Sequence, residues 1–305
     1  MLDYLWQKES TYLNLKGKVK SLRETYFPVR DKLGEYILDK RENKSYLKYY
    51  KYYEFNRLGN TTTYDSVSGI DEIKDEDVYF EYEYDKKGNL IKKNKCLDNI
   101  GGTIDWEYLY DDDNKLLEIK EFLNSENDCS RETDIYKYDN NGQLIEVDQY
   151  NMNGYLSTKW VFEHFNEGKL KKSYHYANGF LHMSFLYNFD ENGNPLEVII
   201  YNGDGKLLDR TTYKFDTKCF KLEKIIYCQW DSSIIQEKDT YKYNDDGNLI
   251  EHKSYRFDIE EDTKNNWNIS YKYEFDKNNN WIKKIQFSNG FPIYIFERKI
   301  TYFKD

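Results

Sequence analysis

The 305-residue chain contains little proline, cysteine or histidine: three prolines, four cysteines and four histidines. With so few prolines, long β-ladders are not interrupted by residues that lack a backbone N–H. The four cysteines follow no zinc-ligand spacing and no disulfide framework. They are Cys96, Cys129, Cys219 and Cys228. We expect reduced thiols, as in a reducing compartment.

The chain also has fewer basic than acidic residues: 45 Lys and Arg against 55 Asp and Glu, which gives a net charge of −10. Duplex nucleic acid is bound through a basic surface, so we expect no duplex nucleic acid as a partner. No apolar run approaches the length of a spanning helix, and we expect no membrane span. The N-terminal sequence lacks the basic start and apolar run of a secretory signal. If Met1 is the native start, we expect a cytoplasmic protein; if the native chain is longer, the alternative is a cell-surface or secreted one.

Aromatic residues, in contrast, are abundant: 32 Tyr, 17 Phe and 6 Trp. The mean hydropathy of −0.97 would fit a disordered chain. Disordered chains, however, are depleted in aromatic residues. Tyr, Phe and Trp favour strands, since they pack well on a pleated, half-buried surface. The composition therefore predicts a folded, β-rich chain.

A repeat of the form aromatic–x–aromatic–Asp/Asn organises the sequence. Its second aromatic residue is found at Phe55, Tyr84, Tyr110, Tyr138, Phe165, Phe189, Phe215, Tyr243 and Phe275. The spacing is about 27 residues, and a fixed period of this kind is the signature of a repeat architecture. Residues two apart on a strand point the same way, so each copy places a pair of rings on one face. The fifth copy is the exception, with Glu163 in place of the first ring.

The residues after each aromatic pair predict a turn. The Asp or Asn side chain accepts a backbone amide two residues later, and a glycine further on takes the left-handed conformation that returns the chain. Gly59, Gly88, Gly142, Gly193 and Gly247 hold the glycine position. Asn114, Asn279 and Cys219 replace it in other copies, and Gly168 comes one residue early. Midway between these turns, Asn153-Gly154, Asn178-Gly179, Asp204-Gly205 and Asn289-Gly290 are hairpin signals.

Two turns per copy imply two strands per copy, or about eighteen strands in all. We therefore predict an all-β fold: a repeat-built antiparallel β-hairpin meander that forms one long coiled sheet with little helix. Open sheets of this size curl or split, so the sheet is expected to form a spiral or a partly closed barrel. Residues 1–49 are interpreted as an N-terminal cap, with a short helix within residues 1–14 and leading strands, and residues 50–305 as the hairpin array. Residues 61–79 and 257–269 are interpreted as acidic loops outside the repeat.

The string Tyr-Asp-x-x-Gly-Asn-Leu-Ile, as at Tyr84–Ile91, resembles the Rhs/YD-repeat family of bacterial surface and toxin-associated proteins. The resemblance covers about residues 50–285. It implies a coiled β-sheet that forms a shell, stalk or ligand-contacting surface, and hence a non-catalytic scaffold. Gly-Asn or Gly-Gln stands here where the family favours Arg after the glycine. Since repeats continue almost to Asp305, the chain looks like a short, stand-alone member without a toxin domain.

The sequence contains no phosphate-binding glycine loop, Gly-x-Ser-x-Gly elbow or His-Glu-x-x-His pair, and we expect neither an enzyme nor a cofactor. One pair of histidines remains. If Asn178-Gly179 is a two-residue turn, His175 lies directly opposite His182, and two such rings could bind a transition metal with a third ligand. A polar pair on an exposed face is the favoured interpretation, so no metal site is expected.

Two functions are compatible with these features. The first is a non-enzymatic binding or scaffold protein that presents an extended sheet to a protein or glycan through outward aromatic residues. Representative residues are Tyr108, Tyr136, Trp160 and Tyr187. The alternative is an immunity or antitoxin-like protein that neutralises a basic bacterial toxin through acidic loops. The acidic residues proposed for it are Asp71, Glu72, Asp75 and Glu76.

Overall fold

A computed structural model describes most of the chain. The described residues are 13–32, 35–38, 49–67, 69–70, 73–74, 78–97, 102–124, 131–165, 169–229, 231, 233–258 and 263–304. Within these ranges the regular structure is entirely strand and contains no helix. The short helix expected within residues 1–14 falls almost wholly outside the described residues.

The strands of the first third are β1 (Val19–Lys32), β2 (Glu35–Leu38), β3 (Tyr49–Phe55), β4 (Thr61–Val67), β5 (Gly69–Ile70), β6 (Ile73–Lys74), β7 (Val78–Tyr84) and β8 (Leu90–Leu97). There follow β9 (Gly102–Tyr110), β10 (Leu116–Asn124), β11 (Arg131–Tyr138), β12 (Leu144–Tyr150), β13 (Leu156–His164), β14 (Leu170–Ala177), β15 (Phe180–Phe189) and β16 (Pro195–Asn202). The last are β17 (Leu207–Phe215), β18 (Lys221–Tyr227), β19 (Ile235–Tyr243), β20 (Leu249–Asp258), β21 (Thr263–Phe275), β22 (Trp281–Ser288) and β23 (Phe291–Tyr302).

The expected antiparallel hairpin meander is confirmed. Twenty-one strands belong to one sheet, and β5 pairs with β6 in a separate sheet of two. Successive strands from β11 to β21 each pair antiparallel with the next one. The described strands outnumber the expected eighteen, because strands also form in the predicted cap and in the stretch 61–79.

The turn after each aromatic pair has the predicted geometry. At Asp139 the carboxylate accepts the backbone amides of Asn141 and Gln143 at 2.9 and 2.8 Å. Gly142 then takes a φ of 79°, and its amide bonds the Asp139 carbonyl at 3.0 Å. Asn114, Cys219 and Asn279 occupy the same position with φ of 64°, 64° and 60°. The side-chain acceptor at the start of the turn therefore holds the loop even where glycine is absent.

Hairpins form at the second set of turns as predicted, but their turns are of two kinds. Asn153-Gly154 and Asp204-Gly205 are not two-residue turns but the ends of longer loops of the first kind. Asn151, for example, accepts the amides of Asn153 and Tyr155 through its side chain at 3.0 and 3.1 Å. Two-residue turns are found at Asn178-Gly179 and Asn289-Gly290, where both residues have positive φ. An Asn two residues before the Asn-Gly or Asp-Gly pair decides between the two turn types.

The chain divides into two compact units. Unit 1 comprises residues 1–108, 121–130 and 271–305, and unit 2 comprises residues 109–120 and 131–270. In unit 1, β1 pairs with both β3 and β23. The first and last described strands are therefore not the open edges that a spiral would have, and this correction follows from long-range backbone pairing. β1 lies within residues 1–49, which the sequence assigned to a cap.

A small core fixes this junction in unit 1. Leu22 is fully buried against Val19, Tyr53 and Phe55. Asn280, which is 1% exposed, accepts the Lys16 amide and donates to the Lys16 carbonyl at 2.7 and 2.8 Å. The chain segment before β1 is thereby tied to the turn before β22.

The two stretches interpreted as loops contain strands. Residues 61–79 include β4, β5, β6 and the start of β7, and in residues 257–269 β20 and β21 continue to the pair Asp258 and Thr263. The acidic composition of these stretches suggested loops, but the strands continue through them. A hairpin can be longer than the repeat without a change in the register of its strands.

Candidate functional site

The strands of unit 2 place different chemistry on their two sides, since successive residues alternate across a sheet. One side, which we call the aromatic face, carries rings from β11 to β21. Its members include Tyr136, Trp160, Phe162, His175, Phe185, Tyr187, Tyr213, Tyr241, His252 and Trp267. The other side, the ionic face, carries cross-strand pairs of Lys with Asp or Glu. Its members include Lys137, Glu146, Asp148, Lys159, Lys214, Glu223, Lys238, Lys242, Glu251 and Lys253.

Ion pairs neutralise much of the ionic face. Glu223 lies between two lysines, with Lys214 at 2.7 Å and Lys238 at 2.8 Å. These hydrogen bonds lower the pKa of the Glu223 carboxyl below its ordinary value. The carboxylates of this face form ion pairs with lysines of neighbouring strands. We therefore interpret them as stabilising the strand register and not as ligand-binding groups.

The aromatic face contains a cluster around Trp160. Its indole stacks on His175 with the ring centroids 4.5 Å apart, and the Phe162 and Phe185 centroids lie 6.4 and 5.6 Å from it. Trp160, His175 and Phe185 are half-buried, whereas Phe162 is buried. The cluster forms because Trp160 and His175 are direct cross-strand partners on β13 and β14. It remains partly open to solvent.

The predicted histidine pair comes together, but by a different route. His175 faces Met183 rather than His182, because a bulge shifts the register between β14 and β15. His182 is the extra residue of that bulge, and its ring meets the His175 ring edge-on at 5.7 Å. Burial, and secondly the charge of His182, lower the pKa of His175. No group of three His, Cys, Asp or Glu that could hold a metal ion exists in the part of the chain that the structure describes.

His175 also carries an unsatisfied polar atom. Its Nδ1 is buried and has no hydrogen-bond partner among the described residues. Buried polar side-chain atoms are nearly always paired, so this atom calls for a specific explanation. Sequence reasoning could place the ring but could not show that its nitrogen would be left over.

The four representative aromatic residues do not form one site. Tyr187 is 7% exposed rather than outward, and its hydroxyl lies 3.1 Å from the Ser173 hydroxyl. It is linked to Trp160 through Phe185. Tyr136 is half-buried on β11, and burial is the main cause of its raised pKa. Tyr108 belongs to unit 1. The acidic residues Asp71, Glu72, Asp75 and Glu76 lie outside the described residues.

Unit 1 contains a cationic group that the sequence analysis did not single out. Lys284 and Arg298 lie on the ring-bearing side of β22 and β23, against Trp281 and Phe296. Trp281 and Lys284 are three positions apart, so strict alternation would place them on opposite sides of β22. The structure nevertheless brings the Lys284 ammonium to 4.9 Å from the Trp281 ring centroid. The partners that surround them come from distant strands and were not visible in the sequence.

Comparison with known proteins identifies no family. No family model matches the chain, and no curated protein matches it. Matches are found among solved structures. A porin-like protein from Bacteroides uniformis is 11% identical, with 94% of this chain and 99% of that one covered and a TM-score of 0.42. A porin-like protein from Bacteroides vulgatus is 10% identical, with the same coverage and a TM-score of 0.28.

The third match is the Photorhabdus luminescens Tc holotoxin pore. It is 11% identical, with 80% of this chain covered and a TM-score of 0.33. This chain spans only 16% of that one. At these identities and TM-scores, the matches assign no activity, substrate or partner to this chain.

The porin-like matches correct one expectation from the sequence. The prediction of no membrane span conflicts with the porin-like matches and is withdrawn, because it considered only helices. Antiparallel strands that satisfy each other's backbone groups are the second kind of structure able to cross a bilayer. Alternation of polar and apolar residues along such strands leaves no long apolar run for a sequence scan to find.

Among the described residues, no helix has the length and apolar character needed to cross a membrane.

Proposed function

We propose that this is a non-enzymatic binding protein that takes a glycan at the Trp160 cluster of unit 2. The observation that carries the proposal is a buried His175 Nδ1, which has no partner among the described residues, beside half-exposed rings. Rings offer apolar surface to the C–H groups of a sugar, and a hydroxyl of the same sugar can pair with the imidazole nitrogen. A hydroxyl both donates and accepts, so it suits either tautomer of His175.

Ligand sites combine apolar walls with a few placed polar groups. The cluster has this composition: Trp160 and Phe185 form the wall, and His175 and His182 supply the polar atoms. His182 is exposed and lies edge-on to His175. The resemblance to the Rhs/YD-repeat family, whose members form ligand-contacting sheets, is consistent with this role and remains part of the proposal.

The test is titration of the native protein with three neutral pentasaccharides, of glucose in α and β linkage and of N-acetylglucosamine. Intrinsic tryptophan fluorescence and calorimetry would follow binding. We expect at least one to bind, and Trp160→Leu to weaken that binding at least tenfold. The matched control is Trp267→Leu, which alters an exposed indole on the same face beside His252. Equal loss in both variants, or no binding by the native protein, would contradict the proposal.

A second candidate function rests on a different observation. Turns at one end of the unit 2 strands carry exposed carboxylates, among them Asp113, Glu191 and Asp245. Such a rim suits a basic protein, as an immunity or antitoxin-like role requires. A pull-down from lysate of the native host at low and moderate salt tests it. A single basic protein lost as salt rises would support this candidate, and recovery of glycan at both salt concentrations would contradict it.

A further inference from the structure

Lys284 occupies an unusual position in unit 1. Its ammonium lies 4.0 Å from the centroid of the Phe296 ring, 4.9 Å from that of Trp281 and 5.7 Å from that of Tyr271. Phe296 is its direct partner on β23. The side chain is half-buried, and among the described residues its ammonium has no hydrogen bond and no ion pair.

The charges around Lys284 do not balance it. Glu24 is the carboxylate of this group, and it is engaged by Arg298 at 2.8 Å. Arg298 is itself buried, with its guanidinium 3.5 Å from the centroid of Trp281. Lys51 faces Glu24 across β1 and β3. Among the described residues, three cations therefore lie around one carboxylate, in a chain whose net charge is −10.

Rings do not replace an acceptor. Aromatic faces attract a cation, but the ammonium of lysine has three N–H donors that need oxygen partners. Buried charges are ordinarily paired, since an uncompensated one is costly. Burial lowers the pKa of Lys284; Glu24 opposes this effect, and Arg298 and Lys51 add to it. Among the described residues, the surroundings thus give Lys284 no negatively charged oxygen acceptor of its own.

We propose that unit 1 binds an oxyanion, a carboxylate or phosphate group, on the ammonium of Lys284. The rings of Trp281 and Phe296 hold the ammonium that the anion meets, and Arg298 adds to the positive potential. This site goes beyond the proposed glycan function, because it lies in the other unit and selects charge rather than neutral hydroxyls.

The first experiment uses the native protein and needs no variant. Lysines are acetylated with limiting acetic anhydride, and the labelling of each is measured by peptide mapping with and without a probe. The probes are inorganic phosphate and glucuronate, with glucose as the neutral counterpart. A bound oxyanion keeps the amine protonated and shielded, so Lys284 should label at least threefold more slowly. Lys283, on the opposite side of the same strand and paired with Glu274 at 2.9 Å, is the internal control.

The outcomes separate the sources of the anion. Protection by phosphate alone indicates a phosphate ligand, and protection by glucuronate alone indicates a carboxylate. Protection by glucose as well, or of Lys283 equally, overturns the proposal, as does absence of protection by either anion.

Variants give a second, independent readout. Lys284→Met is a near-isosteric apolar change that suits the surrounding rings, and Lys283→Met is its matched control. Calorimetric binding of the protecting anion should be lost in the first variant and unchanged in the second. Retained binding in Lys284→Met would overturn the proposal. Neither variant alters Trp160, so failure here leaves the glycan proposal standing, and the reverse also holds.

Discussion

Two histidine clusters on the aromatic face of unit 2 look alike and differ in one respect. His175 stacks on Trp160 at 4.5 Å, and His252 stacks on Tyr241 at 4.6 Å. Each histidine also meets a second ring edge-on, His182 in the first cluster and Trp267 in the second. The difference is a carboxylate: Asp239 lies 3.1 Å from Nε2 of His252, whereas Nδ1 of His175 has no partner among the described residues.

This difference separates a structural cluster from a candidate binding site. Asp239 is buried and also accepts the Tyr241 hydroxyl at 3.3 Å, so the His252 cluster has its polar groups paired within the protein. The Trp160 cluster also has aromatic surroundings, but Nδ1 of its His175 makes no hydrogen bond within the part of the chain that the structure describes. Similar ring geometry therefore carries different functional meaning, and hydrogen-bond pairing distinguishes the two.

The largest effect on the free energy of unfolding is expected from a substitution that displaces the Trp160 cluster and leaves the His252 cluster in place. Gly203 lies in the turn between β16 and β17, and a Cβ there would lie 2.1 Å from the carbonyl oxygen of Leu181. Gly203→Ala should push the β14–β15 turn and His182 away, at a cost of about 3 kcal/mol in the free energy of unfolding. Urea unfolding measures the cost, and NMR signals of His252 should stay in place.

The control for this change is Gly154→Ala. Gly154 has a φ of 74° but open space around it, so only backbone strain of about 1 kcal/mol is expected. Equal destabilisation by the two substitutions would show that the close approach of Gly203 to Leu181 does not position the cluster.

A second substitution removes the carboxylate partner of His252, so that the His252 cluster resembles the Trp160 cluster. Asp239→Ala removes the partner of His252 and Tyr241 and should cost about 2 kcal/mol, since buried polar groups lose hydrogen bonds. Urea unfolding provides the measurement. Asp204→Ala, at a turn residue that is exposed, should leave the stability nearly unchanged. If Asp239→Ala proved as mild as its control, the carboxylate would not be what distinguishes the clusters.

A smaller effect concerns pH. Burial holds the pKa of His175 below the ordinary 6.5, so the unfolded chain takes up a proton that the folded one resists. The contribution to stability is present above about pH 6.5 and is lost as the pH falls toward the lowered pKa. The native protein should therefore lose more stability between pH 7.5 and 5.5 than His175→Gln does. Parallel losses in urea unfolding would assign the pH dependence to other groups.

The smallest expected effect is that of zinc. Two imidazoles without a third ligand do not make a zinc site, and the described residues offer no such third group. We expect zinc to leave the Tm unchanged in the native protein and in the double variant His175→Gln, His182→Gln. A zinc-dependent rise in Tm that the double variant abolishes would restore the metal interpretation.

Much of the local structure could be predicted from the sequence because it depends on short-range chemistry. The Asp139 turn is held by atoms at most four residues away, so its motif is sufficient to predict it. The hairpin signal at Asn153-Gly154 left the turn length open, because the length depends on Asn151, whose side chain accepts two backbone amides of a longer loop. The predicted register between His175 and His182 was wrong, since a bulge inserts a residue without a sequence signal strong enough to predict it.

The candidate sites were less predictable than the turns. Trp160 was among the predicted residues, but its partners come from β14 and β15 and were named only in part. Lys284 was overlooked, because a lysine in an aromatic strand is ordinarily an exposed one. Its environment depends on Arg298 and Glu24, residues 14 and 260 positions away in the sequence.

The sequence by itself determined the strand content, the repeat of hairpins and the alternation that puts rings on one side and charges on the other. These follow from turn chemistry and from the two-residue period of a strand. Only the tertiary structure decided that β1 pairs with both β3 and β23, and that Asp239 pairs with His252. It also decided that Nδ1 of His175 has no partner among the described residues, and that Arg298, Lys284 and Lys51 lie around Glu24. These features depend on which distant strands pair with each other. Strand pairing is determined by the sum of many weak contacts between residues far apart in the sequence, and no local motif predicts that sum.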